Sequence, residues 1–343
     1  MIKPDRLKES DAVAILSLSS GIAGDSRFIH KYNLGIKRLK ENFGLKAVPG
    51  EHALMGSEYI YNHPQKRAED LTASFKDKNI KGIISAIGGE DSIRMLPHID
   101  YEAIRNNPKI FMGFSDTTVT HLIMNKAGVV SFYGPCLLQD FAEYGAMFEY
   151  TAAAIRNIFF EPRENFEIEK CGFWCRENLE WKEENAGKQR RLIADEKGYE
   201  LLQGRGKVRG QFLGGCIDVF PMCFGTKIWP AAEQWKGKIL LCETSEDKPS
   251  PDEVGYILRG MGAQGIFDYI NGIVVGKPKE EIYYDEYKQI YKRILREFGK
   301  SDMPVLYNLN VGHALPIGIF PFGSDVLIDF DEKRIFLTES PVK

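Results

Sequence analysis

Short apolar runs alternate with helix-length amphipathic segments from the start of the chain, and few folds accommodate that alternation. The run Ala12 to Leu18 precedes a helical stretch from Ile29 to Phe43, and a helix from Pro64 to Phe75 precedes the run Gly82 to Ile87. Lys109 to Phe114, a helix starting near Asp116, the run Val129 to Tyr133 and a helix across Tyr144 to Ile158 extend the pattern. Strand and helix in this order predict a parallel sheet, because parallel neighbours need a crossover between them. A first domain should end near residue 160.

The rhythm breaks over residues 161–207, which are rich in charge and contain the phrase FWCRENLEWKEENAGKQRR. The segment reads as an exposed excursion between domains, with Trp174 and Trp181 either aimed at a ligand or pinning the loop down. Residues 208–343 then show apolar runs at Lys238 to Cys242, Gly272 to Val275 and Val305 to Asn308, and late strands at Val326 to Phe330 and Arg334 to Thr338. Helices are expected over Pro251 to Met261 and Tyr284 to Phe298. A length of 343 residues agrees with two domains, 1–160 and 208–343, joined by the insert 161–207.

The balance of 45 basic against 48 acidic side chains, with 43% hydrophobic residues, is that of a soluble globular protein. A net charge of −3 offers no electrostatic case for nucleic acid or an anionic membrane as a partner. The first apolar run, about seven residues, is too short for a signal segment or a membrane span. Six dispersed cysteines then suit reduced thiols in a cytoplasmic setting rather than a disulfide framework. Cys171 and Cys175 have no second pair and no nearby histidine, so no metal site is expected.

Four segments carry chemistry. In IFMGFSDTT an apolar strand ends at Gly113, Ser115 follows, and a helix starts at once. The arrangement approximates a nucleophile elbow, with backbone N–H groups at a helix start placed to hold an oxyanion. Taken alone, Ser115 is explained as well by a helix N-cap. In ISAIGGEDSIRML another strand ends at Gly88-Gly89, so that the N–H groups of Gly89 and Asp116 make a candidate oxyanion pair at one sheet edge. Glu243 ends the apolar run of ILLCETSED, and His313 follows a strand and a glycine in VLYNLNVGHALPIG. Serine, histidine and carboxylate together supply a nucleophile, its base and the group that orients the base.

These segments, with YGP after the serine, GGCID and GKPKEE, resemble the LD-carboxypeptidase family of serine peptidases in order and spacing. The tryptophan-bearing insert is similar to that of the microcin C immunity protein branch. The resemblance spans nearly the whole chain. It implies a Ser115, Glu243, His313 triad, an oxyanion hole from the N–H groups of Gly89 and Asp116, a site between two domains and a homodimer. The implied fold is α/β: a flavodoxin- or glutamine-amidotransferase-like parallel-sheet domain followed by a mixed, barrel-like α/β domain. The implied substrate is a small peptide or aminoacyl-nucleotide amide, with a nucleobase stacking on Trp174 or Trp181, or alternatively the L-to-D amide of a murein tetrapeptide. No metal or organic cofactor is implied. Glu90 departs from the family pattern and leaves the main-chain oxyanion donors unaffected.

Two other readings compete. An α/β-hydrolase shares the serine, acid, histidine order but would place all three on one sheet without an intervening insert. A two-lobed small-ligand binding protein would use both tryptophans as clamps. No intact G-x-G-x-x-G or GK[ST] supports a phosphate loop. Lys277, after a strand, is a candidate anion contact.

Overall fold

The first apolar run forms strand β1 (Ala12–Leu16), and helix α1 (Ile29–Phe43) ends at Gly44, whose left-handed backbone closes the helix. The computed structural model describes residues 1–343. It continues with β2 (Lys46–Pro49), α2 (Ser57–Asn62), α3 (Pro64–Lys76), β3 (Ile80–Ser85), α4 (Tyr101–Asn106), β4 (Ile110–Gly113), α5 (Thr118–Ala127), β5 (Ser131–Tyr133) and α6 (Glu149–Ile155). Strands β2, β1, β3, β4 and β5 pair in that order, all parallel. The helix expected from Tyr144 starts only at Glu149, because Gly145 turns left-handed at φ 70°.

The insert, read from the sequence as an exposed excursion, carries four strands of its own. It contributes β6 (Phe166–Glu167), β7 (Phe173–Cys175), β8 (Leu192–Ala194) and β9 (Glu200–Gln203). β7 and β8 make a small antiparallel hairpin, while β9 joins the main sheet. Two ion pairs between buried side chains anchor the insert: Arg190 to Glu143 at 3.2 Å, and Asp195 to Lys277 at 3.3 Å.

The remaining chain forms β10 (Lys207–Cys216), α7 (Phe220–Cys223), β11 (Lys238–Glu243), α8 (Pro251–Ala263), β12 (Gly272–Gly276), α9 (Tyr284–Glu297), β13 (Val305–Leu309), β14 (Phe320–Phe322), β15 (Asp325–Asp329) and β16 (Arg334–Leu337). Ser250 caps α8 by accepting the Glu253 N–H, and Glu253 reaches back to the Ser250 N–H. β10 to β13 run parallel, and β14 pairs with β10 on one side and antiparallel with β5 on the other. The two halves therefore share one mixed, mostly parallel sheet. That sheet is open, running from β2 to β9, and does not close into a barrel.

A single cluster of 93 buried residues includes Ile15 and Phe111 from the first half and Leu241 and Val274 from the second. All six cysteines are buried and unpaired. No helix is long and apolar enough to cross a membrane.

One buried contact matters for the loops at the carboxyl ends of the strands. Arg67 on α3 is fully buried and grips Asp91 with two hydrogen bonds, at 2.7 and 3.0 Å, while also donating to the Ser19 carbonyl. It thus ties the loop after β3 to the loop after β1. Burial raises the Asp91 pKa, but Arg67 and Arg94 outweigh it and leave the carboxylate below its usual range. Asp91→Ala leaves the guanidinium without its counter-ion and is expected to cost about 3–5 kcal/mol. Urea unfolding checks this as a lowered midpoint at unchanged slope. A loss under about 1 kcal/mol would mean that the pair behaves like an exposed one.

Candidate active site

Strand β4 ends at Gly113, Phe114 remains extended, and Ser115 turns left-handed at φ 65° before a single 3-10 turn leads into α5. A non-glycine residue in that region stores roughly 1–3 kcal/mol of strain. Such strain lifts a side chain clear of the sheet, as at a nucleophile elbow. Behind the turn, the buried His121 ring bonds the Gly113 carbonyl at 2.9 Å and Ser131 Oγ at 2.8 Å. Burial pulls its pKa down to about 4, so it holds the strand end as a neutral ring.

Asp116 is fully buried and its side chain faces backwards. Its carboxylate accepts from Ser19 Oγ at 2.5 Å and from the Ser92 N–H at 2.8 Å, which ties the loops after β1 and β3 to the serine turn. These loops bring Gly88 against Ser115. A β-carbon on Gly88 would lie 3.0 Å from Ser115 Oγ and 3.5 Å from the Asp116 nitrogen. Only glycine permits that approach.

Glu243 is the last residue of β11 and is 1% exposed. Its Oε2 meets His313 Nδ1 at 2.7 Å. Its Oε1 accepts from the Tyr133 hydroxyl at 2.6 Å, and the same hydroxyl oxygen accepts the Ser115 N–H at 3.1 Å. Burial, then the Glu243 charge, push the Tyr133 pKa well up, so the hydroxyl stays a donor. Gly312, at φ 88°, lets the histidine loop pass the carboxylate, since a β-carbon there would lie 2.2 Å from Oε2. The insert supports this loop from outside: the Cys171 N–H donates to Asn310 Oδ1 and the Cys175 N–H to the Leu315 carbonyl, both at 2.8 Å.

Ser115, His313, Gly88 and Gly89 line one cavity of about 240 Å³, so the structure brings the serine and the histidine to the same space. Glu246, which the sequence did not single out, is there too. It holds His313 Nε2 at 2.8 Å, on the side opposite Glu243. Burial pulls the His313 pKa down, but the two carboxylates pull harder and raise it to about 10. The bond to His313 in turn lowers Glu246 to about 2. In this state His313 is a cation and accepts no proton. While Glu246, about half exposed, holds Nε2, that nitrogen is not open to take a proton. The only signal in the sequence was proximity, three residues beyond Glu243.

Next to this cavity lies a groove of about 1020 Å³ lined by Trp181, Phe28, Arg27 and His30. Trp181 is half-buried, edge-on to Phe28, with Lys31 Nζ 4.7 Å from its ring centre. Trp174 is elsewhere. It is buried in the β7–β8 hairpin under Lys277, whose Nζ lies 4.8 Å from the ring centre. Lys277 is itself buried and paired with Asp195 and Glu281, so it is a structural cation rather than an open anion contact.

A strained serine sharing a cavity with a carboxylate-bound histidine is the equipment of hydrolases that pass an acyl group through a serine. The chain belongs to the LD-carboxypeptidase family. The model of the LD-carboxypeptidase N-terminal domain matches residues 13–134 and that of the LD-carboxypeptidase C-terminal domain matches residues 209–328. The chain is 27% identical to the microcin C7 self-immunity protein MccF of Escherichia coli, over 97% of this chain and 94% of that one. The structure of MccF in complex with aspartyl sulfamoyl adenosine superposes with a TM-score of 0.87 over 100% of both chains, at 25% identity. An MccF-like protein from Streptococcus pneumoniae in complex with AMP gives a TM-score of 0.87 at 38% identity, over 95% of this chain and 98% of that one.

The carboxylate pair around His313 has a pH signature. The stability it contributes through His313 is complete below the ordinary histidine value of 6.5 and is lost as pH rises through about 10. The part held by Glu246 is present above 4.5 and lost as pH falls through about 2. Nitrogen-15 NMR titration of the His313 ring should give a midpoint well above 6.5, and Glu246→Gln should move it down by at least about one pH unit. An unmoved midpoint would show that Glu246 does not hold Nε2 in solution.

Proposed function

We propose that the protein is a serine carboxypeptidase-type amide hydrolase acting on aminoacyl- or peptidyl-nucleotide amides, with Ser115, His313 and Glu243 as its triad. What carries the reading is the strained Ser115 in one cavity with a histidine locked at Nδ1 by a buried carboxylate, beside a groove walled by a half-buried tryptophan. Likeness to MccF, solved with aspartyl sulfamoyl adenosine, supports the nucleotide in preference to a murein peptide. The stacking role goes to Trp181, which lines the groove, rather than to Trp174.

Once substrate displaces Glu246, His313 Nε2 takes the Ser115 Oγ proton as Oγ attacks the carbonyl carbon. The N–H groups of Gly89 and Asp116 hold the tetrahedral oxyanion, since the Ser115 N–H is already spent on Tyr133. His313 returns the proton to the leaving nitrogen, and water repeats the sequence on the acyl-enzyme. Glu243 keeps the proton on Nδ1 and stabilises the imidazolium. The family resemblance supports a homodimer, and six buried, unpaired thiols suit a reducing cytosol.

Purified protein assayed in parallel on aspartyl sulfamoyl adenosine and a murein tetrapeptide should cleave the first. Ser115→Ala should fold normally and lose that turnover. Cleavage of the tetrapeptide alone would transfer the protein to the cell-wall branch, and full activity of Ser115→Ala would remove the serine from the mechanism.

Glu243→Gln is expected to lower kcat about 10³- to 10⁴-fold, because an amide presents the wrong tautomer to Nδ1. An unchanged kcat would mean that another group orients His313.

A further inference from the structure

The catalytic cavity and the Trp181 groove share two wall residues, Gln139 and Lys279. A ligand with its acyl carbon at Ser115 and an aromatic ring on Trp181 must thread between them. We propose that Lys279, assisted by the side-chain amide of Gln139, is the receptor for an anionic, tetrahedral linking group, phosphoryl or sulfamoyl in class, that joins the acyl nitrogen to a nucleoside. The inference rests on the nucleotide reading above and adds to it the residue that selects the linker.

Three observations carry it. First, Lys279 is half-buried yet has no ion pair, whereas the neighbouring lysines are satisfied: Lys277 by Asp195 and Glu281, Lys248 by Glu280 at 2.6 Å. A half-buried ammonium without a protein partner bears a desolvation cost that an incoming anion relieves. Second, the backbone that presents it is strained. Glu280, Glu281 and Tyr283 all lie at φ 56–57°, in the left-handed region that costs non-glycine residues energy. The surrounding contacts hold that conformation, with Lys248 bonded to Glu280 and both Lys277 and Lys197 to Glu281. These ion pairs hold the loop, and Lys279 takes no part in them. Third, Lys279 and Glu246 line the same cavity, and burial lowers the Lys279 pKa while the Glu246 charge raises it. A carboxylate that must leave His313 and an unpaired ammonium then share the mouth of the site. A lysine is a point charge that suits a phosphate-like group without demanding a planar partner.

The test is binding rather than turnover. AMP and adenosine are titrated calorimetrically into the Ser115→Ala protein. AMP should bind about 10- to 100-fold more tightly than adenosine, the range for a charge-assisted hydrogen bond. Adding Lys279→Met should bring the two within about 3-fold by weakening AMP alone, and Lys279→Arg should preserve the preference. A preference for AMP that survives Lys279→Met overturns the proposal, as does an equal weakening of both ligands. If the Ser115→Ala protein binds neither ligand, the nucleotide reading itself fails and the linker proposal falls with it.

Discussion

The Tyr133 hydroxyl joins the two halves of the site. Its oxygen accepts the Ser115 N–H and its proton goes to Glu243, so the serine turn at the end of β4 and the carboxylate at the end of β11 are held by one atom. Burial and the Glu243 charge push the Tyr133 pKa well up, so the phenol stays a donor even at alkaline pH. Tyr133 also ends β5, the strand on which β14 lays the second half of the sheet. Backbone pairing and side-chain bonding thus join the halves at the same place, and the relative position of Ser115 and His313 follows from that junction.

Around this junction the charges are arranged in opposition. Glu243 and Glu246 hold His313 between them, and a histidine so held is a strong cation rather than a base. Glu243 is buried, whereas Glu246 is about half exposed. On the proposed mechanism, Glu246 has to turn away from Nε2 before His313 takes a proton. Lys279, which has no ion pair, lines the same cavity as Glu246 and brings the opposite charge to it.

Much of this was legible in the chain. The parallel strands and helix α1 follow from the period of apolar residues, and Ser115, Glu243 and His313 stood out because each lies at or just after a strand end. Strands β10 and β14 were missed, because Lys207, Arg209 and a glycine-rich end break the apolar run of one and Pro321 interrupts the other. The insert reads from the sequence as an exposed excursion, with nothing in it to show that it is anchored. Its anchors, Arg190 on Glu143 and Asp195 on Lys277, are pairs between residues far apart in sequence, which no local pattern reports.

The sequence by itself determined the local pieces: which segments are strands, where a serine meets a tight turn, and which residue types are available for acyl transfer. Periodicity and turn chemistry act over a few residues, so one chain suffices to read them. Only the tertiary structure decided that the two halves share an open sheet and that Trp181 rather than Trp174 faces the groove. It also decided that Glu246 holds His313 Nε2 and that Lys279, without an ion pair, lines both cavities. Each of these depends on burial and on distances across the fold, and sequence spacing encodes neither.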